Sequence, residues 1–242
     1  MTASPTTSGI SPSAFRPFSQ VTYSGYRARV GAAPVAWGIP RTGDECDRVL
    51  DAGAATPNVD VARYLAGFMG AASHVWTPSR RLRLRTLLAG FGSQVVPLVL
   101  SAVAATPRQE VIDEAVDVLI AAASSDDRVI ENLVHLLAAP VLRAGSGKPV
   151  TAEPPPVRAT ITRALGRTRT PATREHRLGA LAIALVDAAP SVRDAAIQAL
   201  RVAPMQADRA IALRLLTQRR AQEKETFLLE EIDDALADLR GE

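Results

Sequence analysis

The sequence predicts an all-α fold arranged as a solenoid of about five helix pairs, preceded by an irregular N-terminal arm. Three observations carry this. From residue 60 onward the apolar residues recur at helical spacing. Helices of roughly a dozen residues come in pairs joined by a tight turn. The turns are marked by prolines at 78, 107, 156 and 190, separated by 29, 49 and 34 residues. A period of about 30–35 residues with two helices per unit is the signature of a repeat architecture, each unit burying its apolar face only against its neighbours. The longer gap holds an insertion over 140–156.

Residues 1–13 are Ser/Thr/Pro-rich and read as a flexible tail. Residues 14–43 hold Pro17, Gly25, Gly31, Pro34, Gly38 and Pro40, which block long helices. Phe15, Phe18, Tyr23, Tyr26 and Trp37, half of the chain's ten aromatics, also fall here, so this stretch reads as an arm lying on a surface of its own chain or of a partner. A helix then opens near Asp44, with Thr42 or Asp44 as cap, and begins the solenoid body over 44–242.

The first pair is VDVARYLAGFMGAASHV and RRLRLRTLLAGF; Leu84, Leu87, Leu88 and Phe91 share one face of its second helix. The second pair is SQVVPLVLSAVAA and RQEVIDEAVDVLIAAA. The third is DDRVIENLVHLLAA and, after the insertion, VRATITRALGRT. The fourth is TREHRLGALAIALVDA and VRDAAIQALRVA, with Val192, Ala196, Ala199 and Leu200 in line. The fifth is ADRAIALRLLTQ and EKETFLLEEIDDALADL, with Leu228, Ile232, Ala235 and Leu236 in line. Proline costs no intrahelical hydrogen bond at a first helical position, which suits it to these turns.

The fourth unit, ALAIALVDAAPSVRDAAIQALRVA, resembles a HEAT repeat: a first helix, a proline-marked turn, then Val192, Arg193, Ala195, Ala196, Ala199 and Leu200 in the family's order. Weaker echoes occur over 110–119 and 157–165, and the resemblance extends loosely across 59–240. It implies a right-handed stack with the second helices on the concave side. It implies no reaction, since HEAT-repeat (armadillo-like) proteins are mostly scaffolds and partner-binding surfaces.

Composition narrows the function classes. Hydrophobic residues at 47% and charged residues at 22% exclude wholesale disorder. The single cysteine, Cys46, excludes an internal disulfide framework. Two lysines, Lys148 and Lys224, stand against 26 arginines, a bias that a GC-rich bacterial genome produces. The net charge of +3 is unevenly spread: residues 143–220 carry +9 and residues 221–242 carry −6. The N-terminus lacks a basic and an apolar region of secretory type, and Val95 to Ala105 is too short to span a bilayer, so the expected location is cytoplasmic, without membrane association.

Arginines are the candidate binding residues: Arg80, Arg81, Arg83 and Arg85 in the first unit, Arg158, Arg163 and Arg167 in the third, then Arg169, Arg174 and Arg177. Arg163 and Arg167 are four apart and share a helix face opposite Ile161 and Leu165. Such a set suits phosphate or an acidic partner segment; the plainer alternative is a solvated face paired with internal acids. Nucleic acid is disfavoured, although some HEAT-like proteins are DNA glycosylases. The second helices read basic, acidic, basic, mixed, acidic, which breaks the positive track that phosphates need.

Gly145-Ser146-Gly147-Lys148 lacks the flanking residues of a phosphate loop. His74, His135 and His176 lack metal-ligand spacing, and the acids flanking Cys46 argue against a nucleophile. No cofactor or metal is expected. The leading expectation is therefore a non-catalytic adaptor that binds a protein through its concave helices and arm, as a homo- or hetero-oligomer. The alternatives are an enzyme or enzyme subunit holding an anionic substrate, with Glu175, Asp187 or Asp194 moving protons, and a nucleic-acid binder.

Overall fold

The computed structural model describes residues 40–71, 74–144, 153–202 and 206–241. The tail, nearly all of the arm with its five aromatics, and Gly145 to Lys148 lie outside the described residues. Among the described residues every regular element is helical. The described residues form eleven α-helices: α1 (Gly43–Ala55), α2 (Val59–Ala66), α3 (Pro78–Ala89), α4 (Val95–Ala105), α5 (Gln109–Ala123), α6 (Arg128–Ala144), α7 (Pro155–Arg167), α8 (Arg174–Ala184), α9 (Pro190–Arg201), α10 (Gln206–Arg220) and α11 (Thr226–Arg240).

Local chemistry sets the ends. Thr42 caps α1 in a reciprocal box: its hydroxyl accepts from the Glu45 N–H at 3.3 Å, and the Glu45 carboxylate accepts from the Thr42 N–H at 3.1 Å. The Asn58 side chain accepts from the N–H groups of Asp60 and Val61 at 3.0 and 2.9 Å and opens α2. Pro78, Pro155 and Pro190 occupy the first positions of α3, α7 and α9. Pro107 instead precedes α5, whose cap is Arg108. Helix α6 runs through Pro140 to Ala144, and α7 begins at Pro155, so helices take up both ends of the stretch read as an insertion.

The helices form two layers. In one, α1, α3, α5, α7, α9 and α11 pack successively side by side; in the other, α2 packs on α4, α4 on α6 and α6 on α8. Each helix of a sequence pair also packs on its mate across the layers: α2 on α3, α4 on α5, α6 on α7, α8 on α9, α10 on α11. The stripes read from the sequence face this interlayer core. Leu84, Leu88, Val192, Ala196, Leu200, Leu228, Ile232, Ala235 and Leu236 are buried, while Leu87 and Phe91 are half-buried against it. Phe68 stacks on Trp76 at 5.1 Å and meets Tyr64 edge-on at 4.8 Å, fastening α2 to the turn before α3.

Helix α7 sits at the centre of the stack, touching α4, α5, α6, α8 and α9. Its buried Thr160 and Thr162 hydroxyls donate to the Pro156 and Arg158 carbonyls at 2.7 and 2.8 Å, so neither is left unsatisfied. Its closest approach to α9 is made by Gly166, where an added Cβ would lie 2.3 Å from the Ala199 Cβ and 2.9 Å from its Cα. Glycine there is a packing requirement, and it outweighs alanine's higher helix propensity of about 1 kcal/mol. Gly166→Ala should lower stability by about 1–3 kcal/mol in urea unfolding. Adding Ala199→Gly should recover part of that loss, and an unchanged midpoint in the single variant would show that α7 and α9 separate freely.

Candidate partner-binding surface

The side-chain network begins with one position. In α3, α7 and α9 an arginine stands three residues after the helix-opening proline: Arg81, Arg158 and Arg193. Each donates back to a carbonyl of the turn that precedes its helix: Arg81 to Ala71, Arg158 to Glu153, and Arg193 to Asp187 and Ala188 at 3.0 and 3.1 Å. Each also grips a carboxylate about one unit further along the chain. Arg81 holds Glu114 at 2.8 Å, Arg158 holds Asp187 through both oxygens at 2.7 Å, and Arg193 holds Glu223 at 2.9 and 3.2 Å. The planar fork of arginine suits these two-point contacts, which a lysine could not reproduce.

Other arginines extend the pattern in the same register. Arg80 pairs with Asp47 of α1 at 2.8 and 3.1 Å, Arg83 with Asp51 of α1, and Arg85 with Asp117 of α5 at 2.5 Å. In the second layer, Arg174 and Arg177 of α8 both reach Asp208 of α10. Arg177 is 2% exposed and its Nε has no hydrogen-bond partner, so its charge is tolerated only through Asp208. Gly70, with φ of 68°, adds a backbone link. Its N–H donates to Glu114 at 2.7 Å and its carbonyl accepts from Arg108 at 3.2 Å, in a left-handed geometry that favours glycine.

Of the ten candidate arginines, Arg80, Arg81, Arg83, Arg85, Arg158, Arg174 and Arg177 are thus close partners of internal carboxylates. Arg163, Arg167 and Arg169, on the last turns of α7 and the loop after it, are not. Arg163 and Arg169 have no ion pair among the described residues. Arg167, 61% exposed, comes within 3.9 Å of Asp117, beyond hydrogen-bond reach. The sequence offered a signal for the structural arginines, the repeated Pro-x-x-Arg spacing, but it does not name their carboxylate partners.

The acids weighed as proton carriers are dispersed. Asp187 is held by Arg158, and Glu175 is exposed on α8. Asp194 is half-buried on α9; burial raises its pKa, opposed by the charge of Arg163. Cys46 is fully buried, and its thiol is raised first by burial and only secondarily by Asp47 and Glu45, with Arg80 opposing. His74, His135 and His176 are exposed on separate elements, and no group of three or more metal-ligand side chains converges among the described residues. No single helix among the described residues is long and apolar enough to cross a membrane.

Comparison of the chain with protein-family models, with curated proteins and with solved structures finds no match.

Glu223, at the turn between α10 and α11, is the strongest electrostatic node. Burial pushes its pKa up, but hydrogen bonds from Arg193 and Arg219 and from the N–H groups of Lys224 and Glu225 outweigh this and hold it at about 2. A carboxylate depressed below its unfolded value stabilises the fold fully above about pH 4.5, and the contribution is lost as the pH falls toward 2. Its size is on the order of 3 kcal/mol. Glu223→Gln should therefore be destabilised by about that amount at pH 6, with the gap to the parent chain narrowing to about 1 kcal/mol by pH 2.5 in denaturant titrations. A gap independent of pH would show that the carboxylate is not ionised in the fold.

Proposed function

We propose that the chain is a non-catalytic, HEAT-like α-solenoid of five right-handed helix pairs that serves as an adaptor, binding a protein partner along the concave row of second helices together with the N-terminal arm. The observation that carries this reading is the row from α1 to α11, in which successive helices pack side by side and arginine–carboxylate pairs recur at the spacing of one unit. A row tied in this way presents an extended helical face at little ordering cost on binding, which favours association. The same pairing supports a protein over a nucleic acid, because most arginines that a phosphate track would recruit already hold carboxylates. Exposed apolar side chains such as Leu82, 63% exposed on α3, and Phe227, 49% exposed on α11, provide contacts of the kind a protein partner buries.

The test is affinity purification of the tagged full chain from its native cell extract, with and without nuclease, with a photo-crosslinking amino acid at position 82. A stoichiometric protein that survives nuclease and crosslinks at position 82 is the expected result. Loss of all partners on nuclease treatment, or capture of none, overturns the reading. Removing residues 1–39 should weaken retention of that partner; unchanged retention would exclude the arm from the interface.

A further inference from the structure

Two of the three candidate arginines without a close carboxylate, Arg167 and Arg169, line the same cleft. It lies between the C-terminal ends of α5 and α7, with Ile120, Ala123 and Ser124 on one side and Arg167 through Thr170 on the other. We infer that this cleft is an acidic-peptide subsite, which takes a carboxylate side chain of the partner together with an apolar neighbour. This deepens the adaptor reading and rests on it.

Size comes first. The cleft encloses about 210 Å³, below the roughly 300–1,000 Å³ of pockets that enclose a whole small molecule. It accommodates one or two side chains of a larger molecule. Chemistry comes next. Ala123 is buried and Ile120 half-buried, giving an apolar wall. The neighbouring hydroxyls offer little to an anion: Ser124 donates to the Ile120 carbonyl at 2.9 Å and Thr168 to the Leu165 carbonyl at 2.9 Å. The charged donors for a ligand are therefore the two guanidiniums, with the Thr170 hydroxyl as a neutral one, and charge-assisted bonds select an anion over a neutral amide.

Charge then decides which anion. Asp117 gives one oxygen to Arg85 at 2.5 Å and stands 3.9 Å from Arg167, so it lowers the positive field at the rim without occupying the Arg167 donors. Both helices also end here, and their C-terminal carbonyls add partial negative charge. With Asp117 neutralised by Arg85, two guanidiniums against two helix ends of about −0.5 each leave about +1, a field matched to a carboxylate monoanion. A phosphorylated side chain, carrying about −1.5 to −2, would be over-charged for it.

The experiment titrates the isotopically labelled full chain with acetyl-Gly-Leu-Glu-Leu-Gly-amide, following the arginine Nε–H signals by NMR. The signals of Arg167 and Arg169 should shift saturably while that of Arg63, on α2, stays fixed. Replacing the peptide's Glu by Gln, or the chain's Arg167 or Arg169 by Gln, should weaken binding about fivefold or more at low salt. Both arginines are exposed, so the variants should melt as the parent does by circular dichroism, and a variant that does not is replaced by the Gln peptide on the parent chain. Absence of a saturable shift at either arginine overturns the inference. So does equal binding of the Gln peptide, or tenfold tighter binding of a phosphoserine version. Retention of the adaptor's partner by the double Arg167→Gln, Arg169→Gln variant would overturn the cleft's role and leave the adaptor reading standing.

Discussion

The structure turns on a guanidinium placed three residues into a helix and reaching a carboxylate one unit away. Arg158 and Arg193 each span from the turn before their own helix to the turn before the next helix of the same layer, at Asp187 and Glu223. A single side chain thereby fixes both the closure of its own helix pair and the register of the following one. Such pairs contribute less net energy than their Coulomb attraction suggests, because desolvation offsets it. The larger stabilisation comes from the interlayer stripe of Leu, Val, Ile and Ala. What the ion pairs add is position, since an alanine-rich seam alone would tolerate sliding by a turn. Glu223 shows the arrangement at its fullest, receiving Arg193 from α9 and Arg219 from α10.

Close approach is the complement of that register. Long guanidiniums can reach across neighbouring helices only because the helices lie near one another, and small residues permit this. At Gly166 against Ala199 the separation leaves no room for a methyl group. The small side chain of Ala199 therefore has a structural use at this seam.

Much of this was legible in the sequence. Apolar spacing located the buried faces of α3, α9 and α11, since a helix that buries one stripe must repeat it every three or four residues. Thr42, one of the two candidate caps with Asp44, announced the first helix, and Pro78 and Pro190 announced two later ones. Proline misled at 140, where α6 continues, because tertiary packing along a long apolar helix overrides a local breaker. The partner of each arginine was not legible. Arg81 and Glu114, or Arg174 and Asp208, are joined by the layer geometry and by nothing in their local sequence. For the same reason the sequence could not separate Arg163, Arg167 and Arg169 from their seven paired counterparts: all ten look alike until the acids opposite them are located.

The alternation of charge along the row acquires a physical meaning from this. Acidic α1 faces basic α3, α3 faces acidic α5, and α9 faces acidic α11 through Arg201 with Asp238 and Glu231. A sequence-level surplus of +9 in residues 143–220 and −6 in residues 221–242 is largely consumed where the two segments meet, at Arg193, Arg201, Arg219 and Arg220. Net charge is therefore a poor guide to what this surface attracts, because long-range attraction depends on charge left unpaired. Among the charges of this row without a close ion pair in the described residues are Arg163 and Arg167 late in α7 with Arg169 just after it, Glu110 and Asp113 on α5, and Glu230 and Asp234 on α11. A partner reading this face would meet a basic spot at the end of α7 flanked by acidic spots on α5 and α11. A complementary partner must then carry discrete charges at matching separation, which is a condition a folded protein meets more readily than a uniform polyanion.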